Sequence, residues 1–418
     1  MSNQGKGIFG SAIVYTIANV LSAGIPFLLL PILTRVLSPT DYGLVTIFTI
    51  TVGIFGVFTG CSVHGAVGIR YFQLPPKVLA EYVGACNWIL LASTTIVSGL
   101  VFVCGKWLAE ITGLPREWLL LGVVMSGAQF VINIGLSLWQ VRSEAKQYGT
   151  FQVSQSLVNA GVSLLFVLGL GMAWQGRVLG QAIATLVFAV IAILFLFRRN
   201  LMAMPKSLKV HVKDALGFGV PLIPHALGGL LIATADRWII GKVYGAAEVG
   251  IYAVAIQVAM GLTLICEAAF RAVHPWLIQN AQTSKDRRQL VIFIYKILGM
   301  AIAGCFLYYL FAWFTYPYLV SDQFQDGRSL LPILVLATFF RCCYHGTAIF
   351  INVANRNGLL ARNTLIAGLL GLSSTYVLVQ HLGILGAAIG LMIGELLSFL
   401  LSWRSSAQVF PMPWFSLK

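Results

Sequence analysis

Charge is scarce in this sequence. Only 10% of its 418 residues are Asp, Glu, Lys or Arg, against about 25% in an ordinary soluble domain. Water is therefore not its main solvent. Acidic residues are scarcest, 13 against 27 Lys and Arg. Long polar segments are missing too. Outside residues 198–214, no stretch between apolar runs leaves room for a soluble catalytic domain. No Walker sequence, HExxH, GxSxG or Cys-His cluster occurs, so direct ATP drive is excluded within this chain and no cofactor is expected. The seven cysteines show no metal-type spacing and are odd in number. They read as small buried apolar residues, with no disulfide expected. The start, MSNQGKGIFG, carries one Lys and leads into a span too long and too rich in Pro for a cleavable signal. The first helix is expected to remain as its own insertion signal.

Apolar residues, by contrast, make up 58% of the chain. They fall in successive runs at 9–33, 42–66, 79–104, 117–140, 150–170, 176–197, 215–240, 248–276, 289–316, 329–352, 362–381 and 384–404. Each is long enough to cross about 30 Å of hydrocarbon. Barrel strands would show alternating segments of ~10 residues instead. The expectation is an all-α integral membrane protein with twelve transmembrane helices, arranged as two pseudo-symmetric six-helix lobes. The lobes would be residues 1–200 and 215–418, joined by a cytoplasmic linker at 201–214.

The duplication is visible in the residues. TRVLSPTDYGLVTI (34–47) and GKVYGAAEVGIYAV (241–254) align Arg35 with Lys242, Asp41 with Glu248 and Gly43 with Gly250. GRVLGQAIA and GILGAAIG align Gly180 with Gly386 near the end of each half. Duplicated membrane halves point to a transporter whose two bundles rock about a central path.

A net charge of +14 could suggest nucleic acid, but its placement argues against that partner. With the N-terminus inside, 17 Lys and Arg fall on the cytoplasmic side and 7 on the other. The positive-inside rule then places both termini in the cytoplasm, and most of the basic charge faces membrane lipids.

Ionised residues within the apolar runs are the candidate functional groups. Each costs about 2.5–3.5 kcal/mol on insertion scales at mid-membrane, so it usually faces a cavity or a partner. Glu267 and Arg271 stand four apart and share one face of the eighth helix. In the repeat frame Arg271 aligns with His64, so each half offers a cation-capable group at one depth, which suits an anionic ligand. Arg341 and Glu395 are too deep to snorkel. They pair with each other or with neighbours, or Arg341 binds substrate and Glu395 tunes it. Asp236 and Arg237 form either a helix-end pair or a rim group that changes partners between two states. Lys296 is shallow enough to reach the headgroups. Gly24, Pro26 and Pro31 are expected to interrupt the first helix, and Pro221 and Pro224 the seventh.

LPILTRVLSPTDYGLVTIFT, HGAVGIRYF, ADRWIIGKVYGAAEVGIYAVAIQVA and GILGAAIG together resemble the signatures of Wzx-type polysaccharide and O-antigen flippases. These belong to the multidrug/oligosaccharidyl-lipid/polysaccharide (MOP) superfamily. The resemblance spans essentially the whole chain. It implies a MATE-like V of two lobes around a cationic cavity in the bacterial cytoplasmic (inner) membrane. It implies movement of undecaprenyl-diphosphate-linked oligosaccharide, an O-antigen or exopolysaccharide repeat unit, from the cytoplasmic to the periplasmic leaflet by alternating access. A lateral opening beside the first and eighth helices would leave the lipid tail in the bilayer. A polysaccharide polymerase and a chain-length regulator are the implied protein partners. On depth and charge, Arg271, Arg341 and His64 are assigned to the diphosphate, and Glu267, Glu395, Asp236 and Arg237 to coupling or gating. An ion-coupled multidrug exporter is the nearest alternative, although the first helix lacks the acidic residue such exporters use. A membrane O-antigen polymerase or ligase would need long outer loops, which are absent here.

Overall fold

The computed structural model describes residues 3–283, 287–354 and 356–412. Lys285 and Lys418, counted above among the cytoplasmic basic residues, lie outside the described residues. No strand occurs among the described residues. The helices are α1 (Asn3–Val36), α2 (Pro39–Phe58), α3 (His64–Arg70), α4 (Pro76–Thr112), α5 (Arg116–Val141), α6 (Ala145–Leu164) and α7 (Trp174–Arg198). They continue as α8 (Leu208–Gly219), α9 (Ile223–Tyr244), α10 (Ala246–Thr283), α11 (Arg287–Leu319), α12 (Leu331–Val353) and α13 (Asn357–Val409).

Hydrocarbon offers no hydrogen-bond partner, so the backbone must satisfy itself, and helices do this within one segment. Hydroxyl side chains follow the same rule. Thr34, Thr51, Thr59, Thr185, Thr338 and Thr375 each donate to the carbonyl four residues back, at 2.8–3.0 Å.

Eleven segments of the described residues are long and apolar enough to cross a membrane. The longest, Gly358–Val409, has 52 residues. A straight helix of that length would reach about 78 Å, far more than one crossing needs. It is broken at Gly383, whose φ of 59° and ψ of −140° only glycine adopts readily. The two arms fold back on each other. Asn363 Nδ2 donates to the Leu401 carbonyl at 3.1 Å and to Ser405 Oγ at 2.8 Å. Counted as two arms, that hairpin brings the candidate crossings among the described residues to twelve.

The prolines act differently in the two halves. Pro26 and Pro31 lie inside an uninterrupted α1, whereas Pro221 sits in a 3-10 turn, Val220–Leu222, that separates α8 from α9. The expected interruption of the first helix is absent. A membrane helix tolerates proline, which frees the carbonyl four residues back (that of Ser22 for Pro26 and of Phe27 for Pro31), where its surroundings re-satisfy that group.

The chain divides into two compact units. One comprises the residues up to Leu37 together with Leu44–Thr234; the other comprises Ser38–Gly43 and the chain from Ala235 onward. In the first, α1 packs on α6, α6 on α7, α7 on α5 and α5 on α4. Its core is aromatic, with Trp139, Phe151 and Phe188 in contact. The segment between the sequence halves docks onto this unit. Ala203 N donates to the Ala80 carbonyl and Lys206 N to Glu81 Oε2, both at 3.0 Å, while Asp214 meets Arg70 at 2.7 Å. In the second unit α12 packs against α10, α11 and α13.

The second echo of the repeat is a packing device. A Cβ on Gly180 would strike Ser163 of α6, and one on Gly386 would strike the Leu378 carbonyl. Helices in lipid gain from such close backbone approach, because no hydrophobic force drives them together.

Candidate functional site

Four ionised residues of the second unit, Arg341, Glu395, Glu267 and Arg271, gather around α12. Arg341, midway along that helix, donates through Nε to Glu395 Oε1 at 2.9 Å, and its Nη2 reaches the same oxygen. Glu395 comes from the second arm of α13, 54 residues away in sequence. One turn before Arg271 on α10, Glu267 accepts from Arg271 Nη2 at 2.9 Å. Glu267 also acts electrostatically on Arg341. His345, one turn beyond Arg341, stacks on Phe270 with centroids 5.2 Å apart, and Phe270 meets His274 at 5.3 Å. Two carboxylates thus face two guanidinium groups, and their formal charges cancel.

Exposure separates these pairs. The Arg341 side chain is 42% exposed and Glu395 16%; Arg271 is 52% exposed and Glu267 39%. A guanidinium carries five donors, and Arg341 directs only two of its three nitrogens at Glu395. It therefore keeps donors for a second anion. Bidentate hydrogen bonding to phosphate oxygens is the chemistry a guanidinium serves best.

Asp236 and Arg237 form a different group. The Asp236 carboxylate is buried. Oδ1 accepts from Arg237 N at 2.8 Å and Arg237 Nη1 at 3.0 Å, and Oδ2 accepts from Tyr252 Oη at 2.8 Å. Tyr252 lies fifteen residues before Glu267 on α10, about 22 Å along the axis. The structure therefore does not bring Asp236 and Arg237 to the Arg341 cluster. They tie α9 to α10. Lys296 is exposed on α11.

His64 belongs to the first unit, where it starts α3 just after a break in the second crossing. Gly60, Cys61 and Ser62 all have positive φ, at 73°, 49° and 57°. For the two non-glycine residues such a backbone costs about 1–3 kcal/mol each. Ser93 Oγ accepts the Gly60 N–H at 2.7 Å. His64 packs edge-on against Phe130, and its Nδ1 is buried with no hydrogen-bond partner. The break meets a second one. A Cβ on Gly219, next to the Val220–Leu222 turn, would strike the Cys61 carbonyl oxygen.

Sequence reasoning missed the break at Gly60–Ser62, Tyr252 as partner of Asp236, and His345. Glycine and serine inside an apolar run gave a weak signal for the first. A histidine one turn from a deep arginine gave one for the last.

The polysaccharide biosynthesis protein family matches residues 8–281. The chain belongs to that family. A Haemophilus influenzae protein named for the Lsg locus is 26% identical over 286 residues, covering 66% of this chain and 68% of its own. An uncharacterized membrane protein of the same organism is 28% identical over 273 residues, 64% of each chain. In fold, this polysaccharide biosynthesis protein is similar to an inward-facing multidrug resistance MATE family transporter of the MOP superfamily. The TM-score is 0.70 at 17% identity, over 94% of both chains. It is also similar to a variant of the Vibrio cholerae MATE transporter VcmN, with a TM-score of 0.62 at 13% identity over 96% of both. The architecture is thus the all-helical MATE-like one. The family is that of polysaccharide biosynthesis proteins, and the fold, with eleven segments of the described residues long and apolar enough to cross a membrane, is that of MATE transporters.

Proposed function

We propose that this protein is a transporter, a flippase for an oligosaccharide linked through diphosphate to undecaprenol, carrying it from the cytoplasmic to the periplasmic leaflet of the bacterial inner membrane. Both termini are then cytoplasmic, and the product would pass to a polysaccharide polymerase and its chain-length regulator. The observation that carries the reading is Arg341, a deep arginine, half exposed and only partly engaged by Glu395. A diphosphate brings about two negative charges, and in a low-dielectric site these need matching cations. Arg341 and Arg271 supply two if the diphosphate takes the place of Glu395 and Glu267. The displaced carboxylates are then the groups to take up a proton or sodium ion, which would couple the step to a gradient. His64 adds a further cation-capable group in the first unit.

Membership of a polysaccharide biosynthesis family favours a glycan cargo over a drug. So does α1, in which no acidic residue occurs. Reconstitution into proteoliposomes with a fluorescent polyprenyl-diphosphate glycan tests the proposal. Protein-dependent movement of the glycan to the far leaflet is expected. Equal movement in protein-free vesicles would end this reading. Unchanged flipping after the gradients collapse would remove Glu267 and Glu395 from coupling while leaving the substrate assignment in place.

A further inference from the structure

Beside the Arg341 cluster, within the second unit, lies a cavity of about 540 Å³ between α10, α11 and α12. Its α10 wall runs from Leu262 to Leu277, about 22 Å along the helix. The α11 wall includes Met300, Gly304, Leu307 and Phe311, and the first, third and fourth of these are 58–65% exposed. The α12 floor is Cys342, His345 and Gly346.

Almost nothing in this cavity can serve a polar ligand. Tyr308 Oη is already committed to the Val258 carbonyl at 2.6 Å. The thiols of Cys266, Cys305 and Cys342 turn towards one another. His345 lies against Phe270. A sugar or a hydrated ion would lose its water here and regain nothing, at a cost of several kcal/mol per polar group. A hydrocarbon loses nothing. The polarisable sulfur and aromatic lining suits an unsaturated, methyl-branched chain. The floor also has a charged neighbour: Arg341 stands one turn before His345, on the same helix face, and acts on it electrostatically.

We propose that this cavity takes the isoprenoid chain of the lipid-linked substrate, with its diphosphate end at Arg341. The assignment rests on the flippase reading above and adds to it a place for the lipid. The chain would lie between α10 and α11, with the charged end at the arginine.

Gly304 gives direct access to a test, because a Cβ there meets no heavy atom within 4 Å. Gly304→Phe and Ala301→Trp fill the cavity from α11. Gly299→Phe adds the same bulk to that helix outside the lining and serves as control; a Cβ on Gly299 also meets open space. Full-length protein in nanodiscs is titrated with radiolabelled undecaprenyl diphosphate, with phosphatidylglycerol as competitor and a thermal melt to confirm folding. The expected result is at least a tenfold loss of affinity in either filled variant, none in the control, and weak competition by phosphatidylglycerol. Wild-type affinity in both filled variants would overturn the cavity assignment and leave the flippase reading standing. So would equal displacement by phosphatidylglycerol, which would mark a general lipid site. A wild-type protein that binds no undecaprenyl diphosphate would remove the flippase reading itself.

Discussion

Gly43 and Gly250, aligned in the sequence repeat and 207 residues apart, pack backbone against backbone. A Cβ on Gly43 would collide with the Ala246 carbonyl oxygen, and one on Gly250 with that of Pro39. The start of α2 and the start of α10 therefore cross where neither can carry a side chain. Tyr42 reinforces the crossing by donating to Gln257 Oε1 at 2.6 Å. Alanine at either position is expected to cost about 1–3 kcal/mol through overpacking, seen as a lower melting temperature in detergent. Gly24→Ala and Gly228→Ala, where a Cβ meets open space, are expected to be neutral or slightly stabilising.

Arg341→Ala is expected to abolish surface glycan at normal protein levels. The stability loss should fall below the ~3–5 kcal/mol of a fully buried pair, because the arginine is 42% exposed. The exchanged pair Arg341→Glu with Glu395→Arg restores the ion pair. It should recover the melting temperature without recovering export. Recovery of both would make the pair purely structural. Arg271→Ala should hardly change stability, since exposed pairs of this spacing contribute about 0.3–0.5 kcal/mol. Any loss of export in that variant is then functional.

Asp236 is expected to behave as a structural residue. Tyr252→Phe leaves a buried carboxylate oxygen short of a donor, at a cost of about 1–3 kcal/mol. Asp236→Asn should cost a similar amount, and the two changes together less than their sum. Strict additivity in a double-mutant melt would show that the 2.8 Å contact carries no coupling.

The strained break in the second crossing makes a prediction of opposite signs at neighbouring positions. Gly60→Ala drives a Cβ into the Phe130 ring and should destabilise. Cys61→Gly relieves a left-handed non-glycine residue at φ 49° and should stabilise by about 1 kcal/mol. Thermal melts of the two variants distinguish them.

Lys296→Ala should leave export and stability close to wild type. The side chain is exposed, and a lysine that reaches the headgroups contributes little to packing. Complete loss of surface glycan in that variant would place Lys296 in the transport path.

Much of the architecture was legible from residue order alone. The last two apolar runs, 362–381 and 384–404, flank the Gly383 break that folds α13 back on itself. Deep charge picked out Arg341 and Glu395. It did not choose between a mutual pair, pairing with neighbours, and a substrate-binding Arg341 tuned by Glu395, because spacing within a helix says nothing about which helix lies opposite. Proline misled at α1, where the helix continues without a break, and informed at Pro221.

The sequence determined the solvent, the number of crossings and the repeat, because each depends on local composition and run length. The tertiary structure alone decided that Arg341 faces Glu395, that Asp236 meets Tyr252, and that two helix breaks nest at Cys61 and Gly219. Those contacts join residues far apart in the chain. They depend on which helix faces meet, and helix faces in lipid are matched by shape and hydrogen bonding, which no single apolar run encodes.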